Sequence, residues 1–323
     1  MGSRTGFNRR ALIRGGLAVT AVGALSAVPV GIAGAATRRA PEPVIYRTSD
    51  WGARAPRAPI EVLNRKPTYI VVHHTVEPGN STNYSRQRAL QISRDIQNFH
   101  MDTRGWIDSG QQFTISRGGY ITEGRHRSYE ALRSGNRHVM GANVGNHNSE
   151  VIGIENEGLY TSVDVPEAQW ESLVRMVAYI ASQYGIAPEF IRGHRDFMTT
   201  QCPGDMLYAR LPELREAVGA ELDLPVREAA TWPLLRPGDT GENVRIAQQL
   251  LREQGNDLAV DGVFGPRTRD AVATFAAANG VQAAACSGAA HADERGLLGA
   301  DIWPLLATGT GRHDLSARLV KSV

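Results

Sequence analysis

Residues 69–75 read Tyr-Ile-Val-Val-His-His-Thr (YIVVHHT). Four apolar or aromatic residues run without alternation and then give way to His73, His74 and Thr75. An unbroken apolar run of this length fits a strand buried on both faces, and the polar residues mark its emergence at a sheet edge. Val151 to Ile154 repeats the pattern and ends at Glu155. Between these runs, residues 85–101 place Ala89, Ile92, Ile96 and Phe99 on one helical face. Gln112–Ile115 and Tyr120–Thr122 flank Gly118-Gly119 as a hairpin. Pro166 opens a helix with Trp170, Leu173, Val174, Val177, Ile180 and Tyr184 on one stripe, closed by Gly185. Strands alternating with amphipathic helices over residues 40–222 predict an α/β domain, a mixed sheet flanked by helices.

Further along, residues 223–240 carry Pro225, Pro233, Pro237 and Gly238 without an apolar period and read as a linker. In residues 241–308, Val244, Ala247 and Leu251 form one stripe, and Ala271, Val272 and Phe275 a second. A short third helix near Ile302–Leu306 completes a small all-α three-helix domain. Residues 283–296 are Ala, Gly and polar residues without period and read as a loop, and 309–323 as a loose tail.

The chain has 323 residues, 42% hydrophobic and 21% charged. That is enough for two packed cores and excludes wholesale disorder. A formal charge of +2 advertises no nucleic-acid face. At the N-terminus, Arg9-Arg10 precede an apolar stretch that stays uncharged from Gly15 to Thr37 and contains Ala33-Gly34-Ala35. This has the form of a twin-arginine-type signal peptide over residues 1–35. A membrane anchor is the competing reading, which Pro29 and the interspersed glycines disfavour. Cleavage would remove Arg4, Arg9, Arg10 and Arg14 and leave a formal charge of −2. The expected product is secreted, to the extracellular space or cell wall, and free of the membrane.

Three residues of metal-ligand type stand at predicted strand ends or in loops: His73, His194 and, eight residues on, Cys202. Two imidazoles and a thiolate would leave one tetrahedral position open on Zn²⁺, as in catalytic rather than structural sites. Spacing alone does not separate this from ordinary cleft histidines.

At these residues the chain resembles the type 2 N-acetylmuramoyl-L-alanine amidases and peptidoglycan recognition proteins. YIVVHHT looks like their first zinc motif, and Gly193–Tyr208 (GHRDFMTTQCPGDMLY) is similar to the second. Asp50-Trp51-Gly52-Ala53-Arg54 and Ile152-Gly153-Ile154-Glu155 match intervening segments in family order. The resemblance implies zinc held by His73, His194 and Cys202. It also implies peptidoglycan as substrate and hydrolysis of the amide between N-acetylmuramic acid and L-alanine. Glu155 falls where related amidases carry a catalytic glutamate, and Glu157 is the second choice if the strand continues. Thr200 is placed to donate to a developing oxyanion.

The pattern also departs from the family. Gln111, in Asp108–Phe113 (DSGQQF), stands where many members carry a tyrosine that contacts the attacking water. An amide cannot act as a base at neutral pH. A receptor that binds peptidoglycan without cleaving it is therefore the alternative. Asn143 replaces a common histidine. Arg125-His126-Arg127 replaces a Gly-Trp pair, either to meet peptide carboxylates or as a solvated loop. The second cysteine, Cys286, is expected to be a free thiol, a disulfide to Cys202 being the rival. A cysteine peptidase built on Cys202 and His194 ranks last.

Residues 238–275 run GDTGENVRIAQQLL, DGVFGPRT and AVATF in order, which resembles the three-helix peptidoglycan-binding domain. Ala276 stands where many of its members have glutamine.

Overall fold

The structure, a computed structural model, describes residues 38–282, 294–307 and 319. The leader expected at 1–35, Cys286 and all of the tail but Leu319 lie outside the described residues.

A six-stranded mixed sheet organises the first half. Its strands are β1 (Ile45–Tyr46), β3 (Tyr69–His74), β4 (Phe113–Ile115), β5 (Ile121–Glu123), β7 (Val151–Asn156) and β8 (Ile191–Gly193), in the order β1-β5-β4-β7-β3-β8. The expected hairpin, β4–β5, is antiparallel, and every other pairing in the sheet is parallel. The two apolar runs, β3 and β7, are neighbours inside it, neither at an edge. That is why neither alternates: both faces are covered. A separate two-stranded ribbon pairs β2 (Val62–Leu63) with β6 (His138–Val139).

Helix α1 (Arg86–Asn98) is capped by Ser85, whose Oγ accepts from the Arg88 N–H at 3.2 Å. The apolar period continues to residue 101, but the chain widens into a π turn over Phe99–Thr103. His100 and Met101 in this wider turn are both buried. After α2 (Ser128–Ser134), helix α3 (Glu167–Tyr184) follows Pro166 and ends at Gly185, whose φ is +74°. Its stripe, Trp170, Leu173, Val177, Ile180 and Tyr184, packs with Ile70, Val72, Phe113 and Ile154 of the sheet in one core. The short α4 (Asp205–Ala209) and α5 (Leu211–Leu222) complete that layer.

A second core belongs to α6 (Glu242–Glu253), α7 (Pro266–Ala278) and α8 (Trp303–Leu306). Val244, Ala247, Leu251, Phe264, Val272, Leu298 and Trp303 fill it. Buried Gln248 ties the turn between α6 and α7, accepting from the Gly262 N–H at 2.8 Å and donating to Asp261 at 2.8 Å. The two cores share no residue.

Candidate metal centre

The parallel strands β3, β4, β7 and β8 all end at the same edge, where sheets of this kind present their ligand sites. Register places the side chains. His73 on β3 lies beside Glu155 on β7, and Glu155 lies beside Thr114 on β4. Partners in register point to the same face about 4.8 Å apart. Val72 pairs with Gly193, so His194 follows on the other side of His73.

Cys202 reaches this row through the loop after β8. The Asp196 carboxylate accepts from the Gly193 N–H at 2.9 Å and from the Tyr208 hydroxyl at 2.5 Å, which turns the chain at His194. The Arg195 N–H donates to the Cys202 carbonyl at 3.0 Å, and the Cys202 N–H to Thr200 Oγ1 at 3.1 Å. The loop thereby returns to its start. The ligand atoms of His73, His194 and Cys202 lie within 4.8 Å of one another, and all three residues are buried. Cys202 Sγ is 3.6 Å from His73 Nδ1, and the rings of His73 and His194 have centroids 4.5 Å apart.

This set fits a metal ion. Its donors are two nitrogens and one sulfur, the mixture that suits zinc. Neither ring nitrogen of buried His194 has a hydrogen-bond partner among the described residues, a costly state for an imidazole that ligates nothing. The His74 N–H donates to Cys202 Sγ at 3.4 Å and fixes the direction of the sulfur. Asn156 Nδ2 donates to the His73 carbonyl at 2.9 Å and steadies that end of β3. His74 itself turns away, its Nδ1 accepting from the Tyr160 N–H at 3.3 Å.

The remaining sequence candidates separate. Glu155 is 1% exposed and adjoins the ligand row. Gln111 is buried close by, its Nε2 donating to Thr114 Oγ1 at 2.9 Å. Glu157 does not share the strand face, because β7 stops at Asn156. Its carboxylate is held by Arg88 Nε at 2.8 Å and the Arg117 N–H at 3.0 Å, a structural ion pair. Asn143 donates to the Gly110 carbonyl at 2.9 Å and packs so closely over Gly153 that a Cβ there would collide with it. Position 153 on the central strand therefore requires glycine.

Arg125-His126-Arg127 matches neither expectation as a unit. Arg125 is buried, donating to the carbonyls of Ser109 at 2.7 Å and Met140 at 2.9 Å. Arg127, with φ +69°, swings outward and pairs with Glu130. His126 Nδ1 lies 2.9 Å from Asp108 Oδ2. That hydrogen bond raises His126 above its ordinary value against the opposing effect of burial. Burial pushes Asp108 up, but bonds from His126 and Gln97 outweigh it and leave the carboxyl low. The Asp108 contribution is present above its unfolded value and is lost as pH falls through the depressed one. The His126 contribution is complete below about pH 6.5 and is lost as pH rises through the elevated folded value. His126→Asn is therefore expected to lower urea stability most near pH 5.5, and progressively less above about pH 7. A stability difference that grows with pH over that range would contradict the pairing.

Residues 63–205 match the N-acetylmuramoyl-L-alanine amidase family, and residues 240–283 match a putative peptidoglycan binding domain. The chain is 32% identical over 167 residues to peptidoglycan-recognition protein SC2 of Drosophila melanogaster, covering 51% of this chain and 82% of that one. The chain belongs to the amidase and peptidoglycan-recognition family. It is also 31% identical over 171 residues to an N-acetylmuramoyl-L-alanine amidase of Sus scrofa, covering 52% of this chain but 27% of the pig protein. The solved structure of wild-type Drosophila PGRP-LB aligns with a TM-score of 0.45 at 30% identity, covering 52% of this chain and 92% of that one. Relatives in the family thus carry both names, amidase and recognition protein.

Proposed function

We propose that this chain is a zinc-dependent N-acetylmuramoyl-L-alanine amidase acting on peptidoglycan, with a C-terminal wall-binding module. The observation that carries the reading is the convergence of His73, His194 and Cys202 beside Glu155 at one sheet edge. Zinc bound by those three residues supplies Lewis-acid chemistry, polarising the scissile carbonyl and bringing the pKa of water to about 7. Glu155 takes the proton of the attacking water and returns it to the departing amine of L-alanine. The Thr200 hydroxyl donates to the oxyanion of the tetrahedral intermediate. The His74 N–H donates to Cys202 Sγ and orients it towards the two imidazoles. The module at α6–α8 keeps the chain on its polymer and raises the local concentration of scissile bonds. The twin-arginine-type leader fits export of the chain to where that polymer lies.

Gln111 favours a second reading, a receptor that binds the same polymer without cutting it, because its amide stands near Glu155 and cannot carry a proton. Purified protein incubated with muropeptides separates the two. The amidase releases stem peptides with a free L-alanine amine, loses this on chelation and regains it with Zn²⁺. Retained binding without release would establish the receptor.

A further inference from the structure

Thr200 is not idle in this structure. Its hydroxyl donates to Glu294 Oε1 at 3.0 Å, and the Gln201 N–H donates to the same oxygen at 2.7 Å. Glu294 lies 94 residues further along the chain, in the C-terminal module. Two donors converging on one carboxylate oxygen are the arrangement that a developing oxyanion requires. The carboxylate therefore takes up the donor that the amidase reading assigns to substrate.

The same segment makes further contacts with this loop. Thr199 Oγ1 donates to Asp301. Gly299 lies against Thr199 so closely that a Cβ there would stand 2.9 Å from its Cα. Burial pushes the Asp301 carboxyl up, and the Thr199 hydroxyl draws it partly back. His73, Cys202 and Thr200 are each 0% exposed.

This segment is no loose strand. Leu298, Ile302 and Trp303 are buried in the module's own core, and Leu298 exchanges backbone bonds with Leu235 at 2.9 Å. Glu294 and Asp301 therefore move with the module. A second polar contact joins the two halves: Arg236, next to Leu235 of the module's core, donates to Asp205 at 2.9 Å, and Asp205 also accepts from Arg195 of its own half at 2.8 Å. Charged and polar contacts between separate cores are of the kind that allows relative domain motion.

We propose that residues Glu294–Asp301 form an intramolecular latch, in which Glu294 competes with the substrate carbonyl oxygen for Thr200 and Gln201. The latched enzyme is self-inhibited. Release of the module, as when it engages polymer, frees the oxyanion donors. What the latch inhibits rests on the amidase reading, but that the latch covers the ligand loop does not.

The test uses the full chain in a Cys286→Ser background, so that Cys202 is its single thiol. Two variants act at opposite ends of the contact: Glu294→Ala/Asp301→Ala at the loop, and Arg236→Ala at the second polar contact. Two measurements are made. One is the rate of Cys202 alkylation in metal-free protein, and the other is kcat/KM on soluble muropeptide in the zinc-loaded protein. A latch that holds the open form to 10% or less predicts a gain of about tenfold or more in both for the double variant, and a smaller gain for Arg236→Ala. Faster alkylation with no hydrolysis by any form keeps the latch and removes the amidase reading. Alkylation and hydrolysis both unchanged in both folded variants overturn the latch. If the double variant does not fold, Arg236→Ala decides by the same two readings.

Discussion

Cys202→Ser is expected to empty the metal site and stop hydrolysis together. A serine hydroxyl stays protonated near neutral pH and is a poor partner for zinc, whereas the thiolate is a strong one. The fold should survive. The substitution is nearly isosteric, and the loop is closed by main-chain bonds that it leaves intact, Arg195 N–H to the residue 202 carbonyl and the residue 202 N–H to Thr200. Zinc content should fall to background while far-UV circular dichroism is unchanged. Cleavage should drop by roughly 10³-fold or more, the scale on which loss of transition-state charge stabilisation acts. Chelation of the wild-type protein should reach the same floor, and zinc should restore the wild type but not the variant. That last contrast excludes a thiol nucleophile. A cysteine peptidase also dies with Cys202→Ser, but it does not respond to chelator and zinc. Full hydrolysis by a zinc-free Cys202→Ser protein would remove the sulfur from the mechanism.

Much of this site was legible because its side chains stand next to strong local signals. YIVV and VIGI are continuous apolar runs, and the residues that follow them, His73 and Glu155, stand out as polar groups in strands that are otherwise apolar. That these two are register partners was not legible, because strand pairing depends on the whole sheet and not on either run. The two-residue strands β1, β2 and β6 have no period to read. Arg125-His126-Arg127 looked like one basic patch. The left-handed turn at Arg127 separates it into a buried tether, a carboxylate partner and a surface ion pair. Asn143 has meaning only opposite Gly153 on the central strand. Glu294 sits in a stretch without period, and nothing local announces that its carboxylate meets a loop 94 residues earlier. Sequence reading thus brought out the side chains that meet at one sheet edge and missed those whose role comes from long-range placement.

Glu155→Gln separates the two functions that share this family. The change keeps side-chain volume and hydrogen-bonding capacity and removes the ability to take a proton. Loss of a general base costs about 10²–10⁴-fold in kcat. Zinc content and muropeptide affinity should stay within a few-fold of wild type, because neither the ligand set nor the module is touched. The variant would then be a binding protein made from an enzyme by exchanging one oxygen for a nitrogen. Neighbouring groups offer no substitute. Glu157 is committed to Arg88 and the Arg117 amide, and Gln111 carries an amide already. Wild-type kcat in Glu155→Gln would mean that the proton travels by another route. If wild type and variant both bind without cleaving, the receptor reading takes over, and the latch would then regulate access of ligand to a metal-bearing pocket rather than catalysis.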